Sequence, residues 1–194
     1  RASVRTISPR GSRAPQRPLA RGGIHREGQV VRAFTPNPDG VVEAAISRDE
    51  ALLLQSLASQ VSHLLREGNA SDPAVLRMLP DAYPGDPVSS AEFRRYTASG
   101  LIDRKVANAD VVIMTLSDAI ETGDVRLSFH QAEVWLRCLT DIRLSLATRL
   151  GIQSDDDEPS GGTVLEELYD WLGFLQNSLV EAIDTVGPSP KGDE

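Results

Sequence analysis

Three Ser/Thr-x-x-Glu/Gln patterns, each placed directly before an apolar stripe of helical period, constrain the fold of this chain more than any other feature. In such a capping box the hydroxyl accepts a hydrogen bond from the third helical N–H, and the Glu or Gln side chain accepts one from the backbone of the hydroxyl residue. Each box predicts where a helix begins, and the stripe behind it predicts the buried face. The three pairs are Ser47 with Glu50, Ser128 with Gln131, and Thr163 with Glu166.

The segments between these boxes add shorter helices and a hairpin. Asp72 followed by Pro73 favours a short helix, and 90–122 is helical in character with a predicted break at Ser99–Gly100. Before the first box, the β-prone runs "QVVRAF" and "VVEAAI" flank "TPNPDG", which is typical of a hairpin. The predicted fold is mainly α, a bundle of about five helices with a short N-terminal β-hairpin.

The charge distribution divides the chain. Residues 1–32 carry eight arginines against one glutamate, a net of +7; because the whole chain carries -8, the other 162 residues carry -15. We predict a disordered Arg/Pro/Ser/Gly-rich leader over 1–28, a helical domain over 29–184 and a flexible tail over 185–194. The acidic body should repel nucleic acid, so direct DNA binding is expected only weakly and only through the leader.

Enzyme and metal chemistry find little support in the sequence. His25, His63 and His130 are far apart, and Cys138 is the single cysteine. No Walker loop, G-x-S-x-G or dinucleotide fingerprint appears. We therefore expect no enzymatic activity, no cofactor and no metal. One cysteine, no secretory h-region and no apolar run of the ~20 residues that a membrane span needs favour a cytoplasmic protein.

Cys138 and Arg143 lie in the helix that the second box begins. Cys138 lies about 60° from the centre of the apolar stripe, by ~100° per residue, so it is either a small buried hydrophobe or a redox-active thiol. Arg143 follows Leu139 by one turn. We expect the aliphatic part of its side chain to pack against the core and its guanidinium to form an ion pair with a carboxylate. Glu166, Glu167 and Asp170 are the candidate partners; the contact would be a structural ion pair or part of an interface.

An acidic surface suits a basic protein partner through complementary potentials. The candidate partner-binding surface is the "PDAYPGD" loop together with the last helix, where Tyr83, Tyr169 and Trp171 are predicted to be exposed anchors. A homodimer that buries an apolar stripe not covered within the chain is a further alternative.

Four stretches carry a family resemblance: "DPAVLRMLPDAYPGD", "AEFRRYTASGLIDRKVANADVVIMTL", "EVWLRCLTDIRLSLATRLGI" and "LYDWLGFLQNSLVEAI". Together with the order of elements over Val30 to Ile183, they resemble the actinobacterial oxidative-stress regulator (AosR-like) family. That family was long catalogued as a domain of unknown function, and its genes often lie beside the gene for the Clp adaptor ClpS.

The resemblance implies a non-enzymatic cytosolic regulator that acts with the transcription machinery in an oxidative-stress response. The partner would then be a sigma factor or an RNA polymerase component. Alternatives are a single-cysteine thiol sensor or an adaptor linked to Clp proteolysis. The family's redox signal passes through cysteine disulfides, whereas this chain has only Cys138. An intrachain switch is therefore impossible, and only an intermolecular or mixed disulfide remains.

Overall fold

The computed structural model describes residues 33–79, 85–152, 157 and 163–187. Its elements are β1 (Thr35–Pro36), β2 (Val42–Ala45), α1 (Arg48–Glu67), α2 (Pro73–Met78), α3 (Pro87–Thr122), β3 (Asp124–Leu127), α4 (Phe129–Leu150) and α5 (Val164–Val186). The predicted fold class, mainly α with an N-terminal hairpin, is confirmed. The predicted leader and the tail beyond residue 187 lie outside the described residues.

All three capping boxes form as the sequence predicts. Ser47, Ser128 and Thr163 each accept from the N3 backbone N–H, and the N3 side chain accepts in return. Gly123 and Gly151 end α3 and α4 in the left-handed conformation, at φ 81° and 73°, which glycine adopts without steric penalty. Local sequence signals thus set the bounds of the helices that build the bundle.

The predicted break at Ser99–Gly100 is wrong, because α3 is one continuous helix of 36 residues. A glycine inside a helix costs about 1 kcal/mol relative to alanine. Packing of α3 on α1 and α4 offsets that cost, since Ala109, Val112 and Leu116 are all fully buried. Tertiary contact therefore overrides the local preference of Gly100.

The sheet has a third strand that the sequence did not predict. β1 pairs with β2 and β2 pairs with β3, both antiparallel. Val42 of the hairpin lies opposite Leu127 of β3, and both side chains are completely buried. The sheet thereby joins the N-terminal hairpin to the connection between α3 and α4.

The central helix is α4, which contacts each of the other four helices in the described ranges. Its Trp135 is completely buried, packs edge-on against Phe34 with ring centroids 5.7 Å apart, and donates its indole N–H to Thr115 Oγ1 at 3.0 Å. The polar end of the largest core side chain is therefore satisfied. None of the described helices combines the length and apolar character that crossing a lipid bilayer requires.

Candidate protein-interaction surface

The solvent-facing side of α5 is acidic. This helix carries five carboxylates and no lysine, arginine or histidine. Spacings of three and four residues place four of the carboxylates on one stripe. This stripe, named here the α5 acidic face, consists of Glu167, Asp170, Phe174, Asn177, Glu181 and Asp184, all exposed.

Phe174 lies in the middle of the α5 acidic face, with 48% of its surface exposed. The four carboxylates of the face form no ion pair with any described residue, whereas Asp141 and Glu43 elsewhere are paired with Lys105 and Arg126. An aromatic ring surrounded by unpaired charge of one sign is a chemical pattern suited to binding a cationic partner.

The carboxylates near the C-terminal end of α5 do not stabilise their own helix. Asp184 lies in the last turn, where the helix dipole is negative, and no basic residue balances it there. Glu181 precedes it by three residues, a spacing at which like charges repel. Stability therefore does not explain why acidic residues occupy these positions.

The aromatic residues predicted to be exposed anchors lie elsewhere. Tyr169 and Trp171 are partly buried and pack against the hydrophobic core, so the prediction that they stand exposed is wrong. Tyr83 lies outside the described residues. The exposed ring on this helix is Phe174, which the sequence analysis did not single out; its position on the helix opposite Leu172 and Leu179 was the signal.

Arg143 binds an amide and an aromatic ring. Its Nη1 donates to Gln176 Oε1 at 2.7 Å, and its guanidinium lies 4.5 Å from the centroid of the Tyr169 ring. Gln176 in turn donates to Thr140 Oγ1 at 2.7 Å. These contacts tie α4 to α5, which run antiparallel, and fix which side of α5 faces solvent.

The predicted carboxylate partner of Arg143 is therefore wrong. Glu166 is held in the capping box with Thr163, and Glu167 and Asp170 point to solvent. The rotation of α5 about its axis decides this, because it turns Tyr169 and Gln176 toward α4 instead. Glu167 and Asp170 therefore have no ion-pair partner among the described residues.

Cys138 is buried, with 2% of its surface exposed. The pKa of its thiol is raised from 9.0 to about 12, first by burial and then by the nearby Asp141 carboxylate, while Lys105 acts in the opposite direction. Thiolate chemistry needs a lowered pKa and access. The position instead suits a small hydrophobe in the core.

Lys105 and Asp141 form a buried ion pair beside this thiol. The Lys105 Nζ lies 2.6 Å from Asp141 Oδ1, with side-chain exposures of 18% and 3%. Within the described ranges no group of three His, Cys, Asp or Glu residues is arranged to hold a metal ion. The pair links α3 to α4, and we interpret it as a structural contact between the two helices.

Comparison with known proteins gives one family. The model described as Domain of unknown function (DUF2017) matches residues 31–183, which is well over half of the chain. The match spans the sheet and reaches into α5 as far as Ile183. Neither the curated proteins nor the solved structures give a match.

Proposed function

The chain belongs to the DUF2017 family, and we propose that it is a non-enzymatic interaction protein that binds a basic partner through the α5 acidic face. The observation that carries the proposal is the exposed Phe174 among four carboxylates without an ion-pair partner in the described chain. A surface of one charge with an aromatic centre supplies both steering and an anchor.

We further propose that the partner is a sigma factor or another RNA polymerase component, and that the complex acts in a cytoplasmic oxidative-stress response. The resemblance to AosR-like proteins supports this choice of partner. Proteins that bind DNA present basic surfaces to its phosphates, and a basic surface of this kind matches the charge of α5. The acidic body of this chain opposes direct contact with DNA.

Binding through this face has a predictable physical character. The carboxylates raise the association rate by attracting the partner. Salt weakens that attraction, because at 0.1 M ionic strength charges separated by more than about 10 Å are largely screened. Phe174 contributes at short range, because burying its ring removes apolar surface from water. Salt should therefore slow association, whereas loss of the ring should speed dissociation.

The test measures binding of the full chain to purified actinobacterial RNA polymerase holoenzyme. The variant E167Q/D170N/E181Q/D184N removes the charge of the α5 acidic face, and we expect binding at least about tenfold weaker, or 1.4 kcal/mol. The matched control E92Q/D103N/D118N/E121Q removes four exposed charges from α3. Equal losses in the two variants, or no binding by the unmodified chain, would contradict the proposal.

The surroundings of Cys138 and the α5 acidic face also bear on the two alternative functions. A sensor built on Cys138 is opposed by the burial of its thiol and by its raised pKa. An adaptor linked to Clp proteolysis would use the same α5 acidic face with a different partner. Replacing RNA polymerase with purified ClpS in the binding measurement separates these two partners.

A further inference from the structure

The chain enters the described fold beside α5. The backbone N–H of Phe34 donates to Ser178 Oγ of α5 at 3.2 Å, and Phe34 is buried against Trp135. Gly40, at the turn of the hairpin, lies against Val186 near the end of α5. From Phe34 to Gly40 the chain therefore runs toward the C-terminal end of α5, and Phe34, next to the start of the described residues, lies beside the middle of that helix.

The residues that precede Phe34 in the sequence have the opposite charge to the α5 acidic face. Residues 1–32 carry a net +7, and Arg21, Arg26 and Arg32 are the arginines nearest in sequence to the described residues. The α5 acidic face carries four carboxylates that no described residue neutralises. Glu167 with Asp170, and Glu181 with Asp184, are like-charge neighbours at i,i+3, and a bound cation relieves their repulsion.

The lengths allow the contact. Arg26 is eight residues from Phe34, an extended reach of roughly 26–29 Å. Glu167 lies eleven residues before Ser178, about 16 Å along the helix axis. Because the two groups belong to one chain, their effective concentration is on the order of millimolar for a short flexible connection. Weak contacts at each arginine are then sufficient for docking.

We propose that the arginine-rich segment 1–32 docks in cis on the α5 acidic face, with Arg21, Arg26 and Arg32 as its main contacts. The segment then occupies the surface that a basic partner needs and lowers the apparent affinity for that partner. The intramolecular contact stands on charge and connectivity alone. Its inhibitory effect rests on the function proposed above.

The contact is tested in the full chain by paramagnetic relaxation. A spin label is attached at G22C in a Cys138→Ser background, and broadening of backbone amide signals is measured along α5 and α3. We expect broadening concentrated on Glu167 to Glu181, lost at 0.5 M salt and lost in E167Q/D170N/E181Q/D184N. The control E92Q/D103N/D118N/E121Q should keep it. Broadening that persists in the α5 variant would overturn the proposal.

The inhibitory effect is tested separately with RNA polymerase holoenzyme as the probe. The variant R21Q/R26Q/R32Q should bind severalfold more tightly than the unmodified chain, and the equally charged control R1Q/R5Q/R10Q should change binding less. Selective broadening without any polymerase binding would support the cis contact and contradict the proposed function. Polymerase binding through α5 without selective broadening would support the proposed function and contradict the cis contact.

Discussion

Lys105 Nζ of α3 contacts Asp141 Oδ1 of α4 at 2.6 Å, with the carboxylate 97% shielded from solvent. Removal of one partner leaves the other buried and uncompensated, which is far more costly than loss of the attraction itself. We expect Lys105→Met to lower the free energy of unfolding by about 3 kcal/mol. Chemical denaturation measures this, and the neighbouring exposed Arg104→Met serves as the control, with a change under about 0.5 kcal/mol.

The deficit of Lys105→Met should depend on pH. Burial raises the pKa of Asp141 above 3.8, and the hydrogen bond and charge of Lys105 act against that rise. Without Lys105 the pKa rises further, so the native state holds the proton over a wider range. The deficit is then complete above the raised pKa and shrinks as pH falls through it. Unfolding curves at pH 7 and near pH 4 check this; a deficit that grows on acidification would contradict it.

Cys138 should behave as a core residue. Because its thiol is buried and its pKa is about 12, we expect Ellman's reagent at pH 8 to label the native protein only at the rate of transient opening. Labelling in denaturant should be rapid. Peroxide at concentrations that oxidise exposed thiols should leave it reduced. Rapid labelling of the folded protein would instead revive the redox-sensor hypothesis.

Arg143→Lys should destabilise the protein although it keeps the charge. An ammonium cannot both bind Gln176 Oε1 and stack on Tyr169 as the planar guanidinium does. We expect a loss of about 1–2 kcal/mol in the free energy of unfolding. Arg137→Lys on the same helix, whose side chain is exposed, should change stability by under about 0.5 kcal/mol.

Opposite ends of the α5 acidic face should respond oppositely to loss of charge. Glu167 lies in the first turn of α5, where the helix dipole favours a carboxylate, and Asp184 lies in the last turn, where it does not. We expect Glu167→Gln to lower and Asp184→Asn to raise stability, each by about 0.3–1 kcal/mol at low salt. Thermal denaturation at two salt concentrations checks both signs, since salt should reduce each effect.

Features encoded by neighbouring residues were predictable. The caps at Ser47, Ser128 and Thr163 each need only a four-residue pattern, and the structure contains all three. The burial of Trp135 follows from the apolar stripe of α4. Such signals are local, so a single sequence contains all the information that they require.

Features that depend on how distant elements meet were not predictable. β3 has four residues and exists because Val42 pairs with Leu127, 85 positions away. Lys105 meets Asp141 only through the register of α3 against α4. The contacts of Arg143 with Tyr169 and Gln176 depend on the rotation of α5 against α4. Periodicity places a residue on a face of its helix but does not say what that face meets.

The central claim is that the carboxylates near the C-terminal end of the α5 acidic face, Glu181 and Asp184, serve binding rather than folding. The most direct measurement compares unfolding free energy and RNA polymerase affinity in E181K/D184K. Lysine near the C-terminal end of a helix is favourable, so we predict a protein that is at least as stable as the unmodified chain and binds at least about tenfold more weakly. Unchanged affinity, or a loss of stability that accompanies the loss of binding, would contradict the account.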